Sequence, residues 1–96
     1  MLASINPTTT AAWKALQENY DSNSDLKMKD LFSSDEKRFE KFSLQLGDIY
    51  FDYSKNIITE KTVQLLLQLA EECQLKAAIE AMFTGDKINA TENRAV

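Results

Sequence analysis

Residues 59–73, TEKTVQLLLQLAEEC, limit the possible folds more than any other stretch of the chain. Val63, Leu66, Leu67 and Ala70 recur at i, i+3, i+4 and i+7, the spacing of one helix face. Leu65 and Leu69 make a second apolar stripe on another face. A helix apolar on two sides belongs between layers, because each stripe must be covered. A chain of 96 residues is one domain or a piece of one, and it offers few candidates for the second layer. The pattern therefore predicts missing partners. Thr59 is a suitable N-cap, with Ile58 before it and Val63 placed to close a hydrophobic staple.

The segments before this helix change period twice. Residues 6–21, NPTTTAAWKALQENYD, read as a first helix, capped by Asn6 or one of Thr8, Thr9 and Thr10. Pro7 suits its first turn, and Ala12, Trp13, Leu16 and Tyr20 supply one apolar face. DSNSD then breaks the pattern. LKMKDLF is a short second helical segment capped by Ser24 or Asp25, with Leu26, Leu31 and Phe32 facing inward, and Asp35 opens a further turn, EKRFEK. In residues 42–53 the period becomes two: Phe42, Leu44 and Leu46, then Ile49, Phe51 and Tyr53, on either side of Gly47-Asp48. That is the signature of a β-hairpin, which is marginal alone and must rest on something. Beyond the two-sided helix, Leu75, Ala78, Ile79, Met82 and Phe83 predict another helix, with Gly85 in the left-handed position after its last turn. The fold class expected is α+β, mostly helical with one hairpin.

Composition narrows function mainly by exclusion. A hydrophobic share of 44% with 27% charged residues is that of an ordinary soluble globular protein. Fifteen acidic against eleven basic residues give a net charge of −4, which argues against a dedicated nucleic-acid binder. No apolar run approaches the roughly 18 residues needed to span a bilayer. The opening MLASINPTTT lacks the basic and apolar regions of a secretory signal. The single Cys73 cannot form an internal disulfide, so a reducing cytoplasmic setting is expected. There is no histidine, which removes the commonest general base and the commonest zinc ligand together.

Motifs that carry chemistry are correspondingly sparse. Two isolated glycines, Gly47 and Gly85, cannot build a phosphate loop. DSNSD opens like a calcium loop but has Leu26 at the sixth position and Phe32 at the twelfth, where glycine and glutamate are needed. Glu71 and Glu72 point in different directions along a helix and read as a solvated edge. Cys73 follows Val63 and Ala70 on one stripe and reads as a small buried core residue rather than a reactive thiol. Asn89-Ala90-Thr91 is a glycosylation sequon, relevant only to a secreted protein. The remaining polar group is Lys87, Asn89, Thr91, Glu92 and Arg94. It reads as the start of a new helix, capped by Asn89 or Thr91 with Glu92 in its first turn. On that reading Ala95-Val96 are the first buried residues of the new helix. Binding of an anion by the same cluster is the alternative.

Three stretches, INPTTTAAWKALQ, DYSKNIITEKT and MFTGDKINATENRAV, resemble in order and spacing the N-terminal region of the phosphoglucose isomerase family. The resemblance runs from about Ile5 to Val96, with Asp86 standing where a glutamate is often found. It implies that residues 1–96 are an N-terminal helical and hairpin segment, part of a larger two-domain α/β fold with parallel sheets. It also implies interconversion of glucose 6-phosphate and fructose 6-phosphate, in glycolysis and gluconeogenesis, by a cytoplasmic homodimer. Acid–base groups would open the ring and pass a proton between C1 and C2 through a cis-enediol, with neither metal nor cofactor. None of the family's catalytic or phosphate-holding motifs falls within the chain, so no catalytic, substrate-binding, cofactor-binding or metal residue is expected here. Glu92 and Arg94 then either fix a helix against the rest of the enzyme or, for Arg94, support the active site from nearby. The partners expected are the remainder of the isomerase chain and the sugar phosphate it binds, without nucleic acid or membrane. The alternative is a free-standing helical interaction module without catalytic activity.

Overall fold

The computed structural model describes residues 3–89 and 91–95. A 3-10 turn, Pro7–Thr9, leads into α1 (Ala11–Asn23), followed by α2 (Met28–Ser34) and the single turn α3 (Arg38–Lys41). Strands β1 (Ser43–Leu46) and β2 (Ile49–Asp52) come next, then α4 (Glu60–Glu72) and α5 (Leu75–Phe83). The expected class, mostly helical with one antiparallel hairpin, is what the chain adopts.

The first helix is split at Thr10, whose extended backbone separates the two pieces. Both expected caps are used. Asn6 accepts from the Thr8 N–H to start the 3-10 turn, with Pro7 as its first residue, and Thr10 accepts from the Trp13 N–H to start α1. The break expected at DSNSD falls later, since Asp21 to Asn23 still belong to α1. The caps proposed for α2 do not form. Lys27 occupies that position without a side-chain bond, and Ser24 and Asp25 lie in the preceding turn. Leu26, Leu31 and Phe32 are half-buried as expected. Asp35 does open α3: its carboxylate accepts from the Lys37 N–H at 3.0 Å.

Helices α1 and α4 form the main packed layer. The Ala12 N–H donates to Glu72 Oε2 at 2.9 Å at one end, and Thr62 Oγ1 donates to Asn19 Oδ1 at 2.9 Å at the other. These two bonds make the pair antiparallel. Leu65 and Ala12 are buried in the seam between them. Thr59 caps α4 through a reciprocal box with Thr62, in which each side chain accepts from the other residue's backbone N–H. The stripe that turns inward is the narrower one, Thr62, Leu65, Leu69 and Glu72. Leu66 and Leu67 of the broader stripe stay 47% and 63% exposed. Trp13 and Tyr20 likewise remain exposed, because α1 presents Ala12, Ala15, Leu16 and Asn19 to its partner side.

Two further expectations are corrected in this layer. Glu72 is no solvated edge; it is half-buried and fills the amide end of α1, where a negative charge is favoured. Glu71 alone is exposed. Cys73 is half-buried rather than buried, because it is the C-cap of α4 and the chain turns there, with Gln74 in the left-handed region at φ 58°. The turn sends α5 away from the α1–α4 seam, so no residue of α5 is buried.

The hairpin pairs Leu46 with Ile49 across a two-residue loop, and Gly47 at φ 57° supplies the positive first position of a type II′ turn. Leu44, Leu46, Ile49, Tyr50 and Phe51 are all exposed. The expectation that the hairpin rests on something is met at its base, where Phe42 is buried, and at Tyr50, whose ring stacks on Phe39 of α3 with centroids 6.0 Å apart. No helix among the described residues covers its length.

Candidate functional site

The base of the hairpin is the most closely organised polar site in the molecule, and Arg38 is its centre. The residue is 3% exposed. Its Nε donates to the Ser54 carbonyl at 2.9 Å and one terminal nitrogen donates to the Asn56 carbonyl at 2.8 Å. Its carbon lies 4.6 Å from the centroid of the Phe42 ring and 5.5 Å from that of Phe32. Ser54, itself buried, donates through both its hydroxyl and its N–H to Asp52 Oδ1, at 2.6 and 2.9 Å. The hydroxyl bond first, then the amide bond, holds the Asp52 carboxyl below its ordinary value.

Beside this core, Lys41 at the end of α3 joins two elements. Its Nζ donates to Asp35 Oδ2 at 2.7 Å and lies 3.2 Å from Glu60 Oε1 at the start of α4. The bond from Lys41, with the Lys37 N–H second, lowers the pKa of Asp35. The same contacts, Asp35 ahead of Glu60, raise that of Lys41.

These groups tie the base of the hairpin to α3 and α4. Arg38 stacks on Phe42, and two of its N–H groups are taken by backbone carbonyls. Sequence reasoning passed over it. The available signal is compositional: only Arg38 and Arg94 are arginines among eleven basic residues. Arginine is the residue selected where a rigid fork must meet several acceptors and stack on a ring.

The polar group singled out near residue 90 takes a different form from the one expected. Gly85, at φ 83°, ends α5 as predicted. The Asp86 N–H bonds to the Ala81 carbonyl and the Gly85 N–H to that of Met82, the paired bonds of a Schellman cap. Asn89 accepts from the Glu92 N–H at 3.3 Å and from the Thr91 hydroxyl at 2.9 Å, so the capping contact is made. No helix follows among the described residues. Asn93 turns left-handed at φ 53°, and an antiparallel bridge between Asn89 and Arg94 closes the segment as a loop. Ala95 is exposed instead of buried; Val96, and the Ala90 of the sequon, lie outside the described residues. Glu92 sits between the Asn89 amide, at 3.3 Å, and an Arg94 guanidinium nitrogen, at 3.2 Å, with both charged side chains largely exposed. Asn89, Thr91, Glu92 and Arg94 are thus bonded to one another.

Elsewhere the surface carries shallow apolar grooves. One, of about 360 Å3, lies between α1 and the start of α4 and includes Leu16, Tyr20, Leu26, Ile57 and Thr62. Another, of about 320 Å3, lies in the α4–α5 elbow. Among the described residues, no group of three or more acidic, cysteine or histidine side chains is placed to hold a metal. No described helix is long and apolar enough to cross a membrane.

The hairpin and the outer faces of α4 and α5 are exposed, and the hairpin is anchored at its base through Arg38. Residues 52–96 match the phosphoglucose isomerase family, and the chain belongs to it. It is 59% identical, over 95 residues, to a glucose-6-phosphate isomerase of Christiangramia forsetii; the match takes in 99% of this chain and 18% of the relative's length.

Proposed function

We propose that residues 1–96 form the N-terminal portion of an isomerase that interconverts glucose 6-phosphate and fructose 6-phosphate in glycolysis and gluconeogenesis. The identity of 59%, sustained over almost the whole chain, carries this reading. The chemistry is acid–base catalysis: ring opening, then proton transfer between C1 and C2 through a cis-enediol, with no metal or cofactor. The groups that move the proton belong to sequence outside residues 1–96, as do those that hold the phosphate. The part played by this chain is architectural, contributing α1, α4, α5 and the hairpin to a larger cytoplasmic enzyme that acts as a homodimer. The absence of histidine and the self-paired Glu92 and Arg94 support placing the chemistry elsewhere.

The test compares two proteins on glucose 6-phosphate. The full-length product of the same gene should form fructose 6-phosphate and, in deuterated water, incorporate solvent deuterium through the enediol. The 96-residue chain should form none. Turnover by the short chain would overturn the assignment of catalysis to the missing part, and an inactive full-length product would overturn the isomerase reading itself.

A further inference from the structure

One hydroxyl serves two helices at the start of α4. Thr62 Oγ1 accepts from the Thr59 N–H at 3.1 Å, completing the capping box, and donates to Asn19 Oδ1 of α1 at 2.9 Å. It also lies 3.1 Å from Thr59 Oγ1. A hydroxyl has a single proton to donate. With that of Thr62 given to Asn19, the contact between the two hydroxyls uses the proton of Thr59. The bonds then run in one direction, from Thr59 through Thr62 to Asn19. Bonds in such a chain polarise and strengthen one another. Thr59 Oγ1 in turn accepts from the Thr62 N–H at 3.3 Å, so the side-chain bonds of the cap converge on Thr62.

We infer that Thr62 is a latch coupling two events, the docking of α1 onto α4 and the closure of the cap that starts α4. The seam favours such a device. Ala12 and Leu65 are its buried hydrophobics among the described residues, so the polar bonds at its two ends weigh heavily in holding the helices together. With the latch closed, Asn19 takes the Thr62 proton and fixes the direction of every bond in the box. With α1 lifted away, Thr62 loses that acceptor and the box keeps only its internal bonds. Coupling of this kind is reciprocal: whatever α1 adds to the cap, the cap adds to the docking of α1. Residues 11–23 thereby act as a strap whose hold on α4 and whose effect on the first turn of α4 rise and fall together.

The experiment follows amide hydrogen exchange by mass spectrometry in the full-length gene product, in peptides covering residues 11–23 and 59–66. Asn19→Ala should speed exchange in 59–66 by about threefold to tenfold, the range of one hydrogen bond, although Asn19 belongs to α1. Thr59→Ala should in turn speed exchange in 11–23, although its own side-chain bonds lie at the start of α4. The double variant should fall short of the product of the two single effects, because each removes part of one chain of bonds. Thr62→Ser keeps the hydroxyl and should leave both stretches near their original rates. Thr62→Val should speed both, and Asn19→Ala added to it should change 59–66 no further. Effects confined to the helix that carries each substitution would overturn the coupling and leave two ordinary contacts. Single effects that simply multiply in the double variant, or rates that do not change at all, would overturn it as well.

Discussion

At the scale of single residues, Arg38 bears the most structural weight. Its partners, Ser54 and Asn56, lie 16 and 18 residues away along the chain, so it ties the segment leaving the hairpin back to α3. Arg38→Ala should cost about 2–4 kcal/mol locally, from two charge-assisted hydrogen bonds and two ring contacts. The expected readout is loss of amide-exchange protection at Tyr53, whose N–H bonds to the Phe42 carbonyl, with α4 protection retained. Arg38→Lys should restore little of it, since an ammonium cannot span both carbonyls while stacking on Phe42. The carboxylates nearby give a pH dependence of defined sign. Asp35 and Asp52 have folded pKa values below the unfolded value of 3.8, so their contribution is complete above that value and is lost as pH falls through the folded values. Lys41, raised above 10.5, behaves in the opposite sense: its contribution holds below 10.5 and is lost as pH rises through its folded value. Carboxyl-carbon NMR titration should therefore show both aspartates titrating below 3.8, and Lys41→Met should return Asp35, but not Asp52, toward it.

At the scale of elements, local chemistry decides where helices start and stop. Thr59→Ala removes the acceptor for the Thr62 N–H and should lower α4 stability by about 1 kcal/mol, measured by helical amide exchange. Gly85→Ala should cost about 1–2 kcal/mol through backbone strain alone, because nothing within 4 Å obstructs an added Cβ. These features were legible in the sequence because each depends on neighbours within a few residues: the Thr59 cap, the Gly47-Asp48 turn, and Gly85 after α5. Choices made by distant partners were not. Periodicity identifies both stripes of α4 but not which one meets α1; the small Ala12 and Ala15 selected the Leu65–Leu69 side. Glu72 looked solvated because its partner, the Ala12 amide, is 60 positions away. The site at Arg38 was hidden for the same reason. The stretch 89–94 was misread in another way, since its cap is real but the helix it was expected to begin does not form within these residues.

At the scale of the whole molecule, the chain is a thin layer rather than a globule. It measures 49 × 36 × 17 Å, with a radius of gyration of 17.0 Å. A compact chain of this length would have a radius of about 13 Å. Among the described residues only Ala12, Phe42 and Leu65 are buried hydrophobics. A free-standing module would be expected to bury more and to melt in one cooperative step. The isolated chain should instead bind a hydrophobic dye such as ANS and unfold over a broad temperature range; a sharp melt without dye binding would contradict this picture. The uncovered elbow also has a consequence in time. In an N-terminal position it would leave the ribosome first, while more than four-fifths of a relative's length was still to be made. At about 5–20 residues per second that interval lasts roughly tens of seconds. Throughout it the nascent chain would display Leu66, Leu67, Leu75 and Phe83 to the crowded cell, as a client for chaperones before it is part of an enzyme.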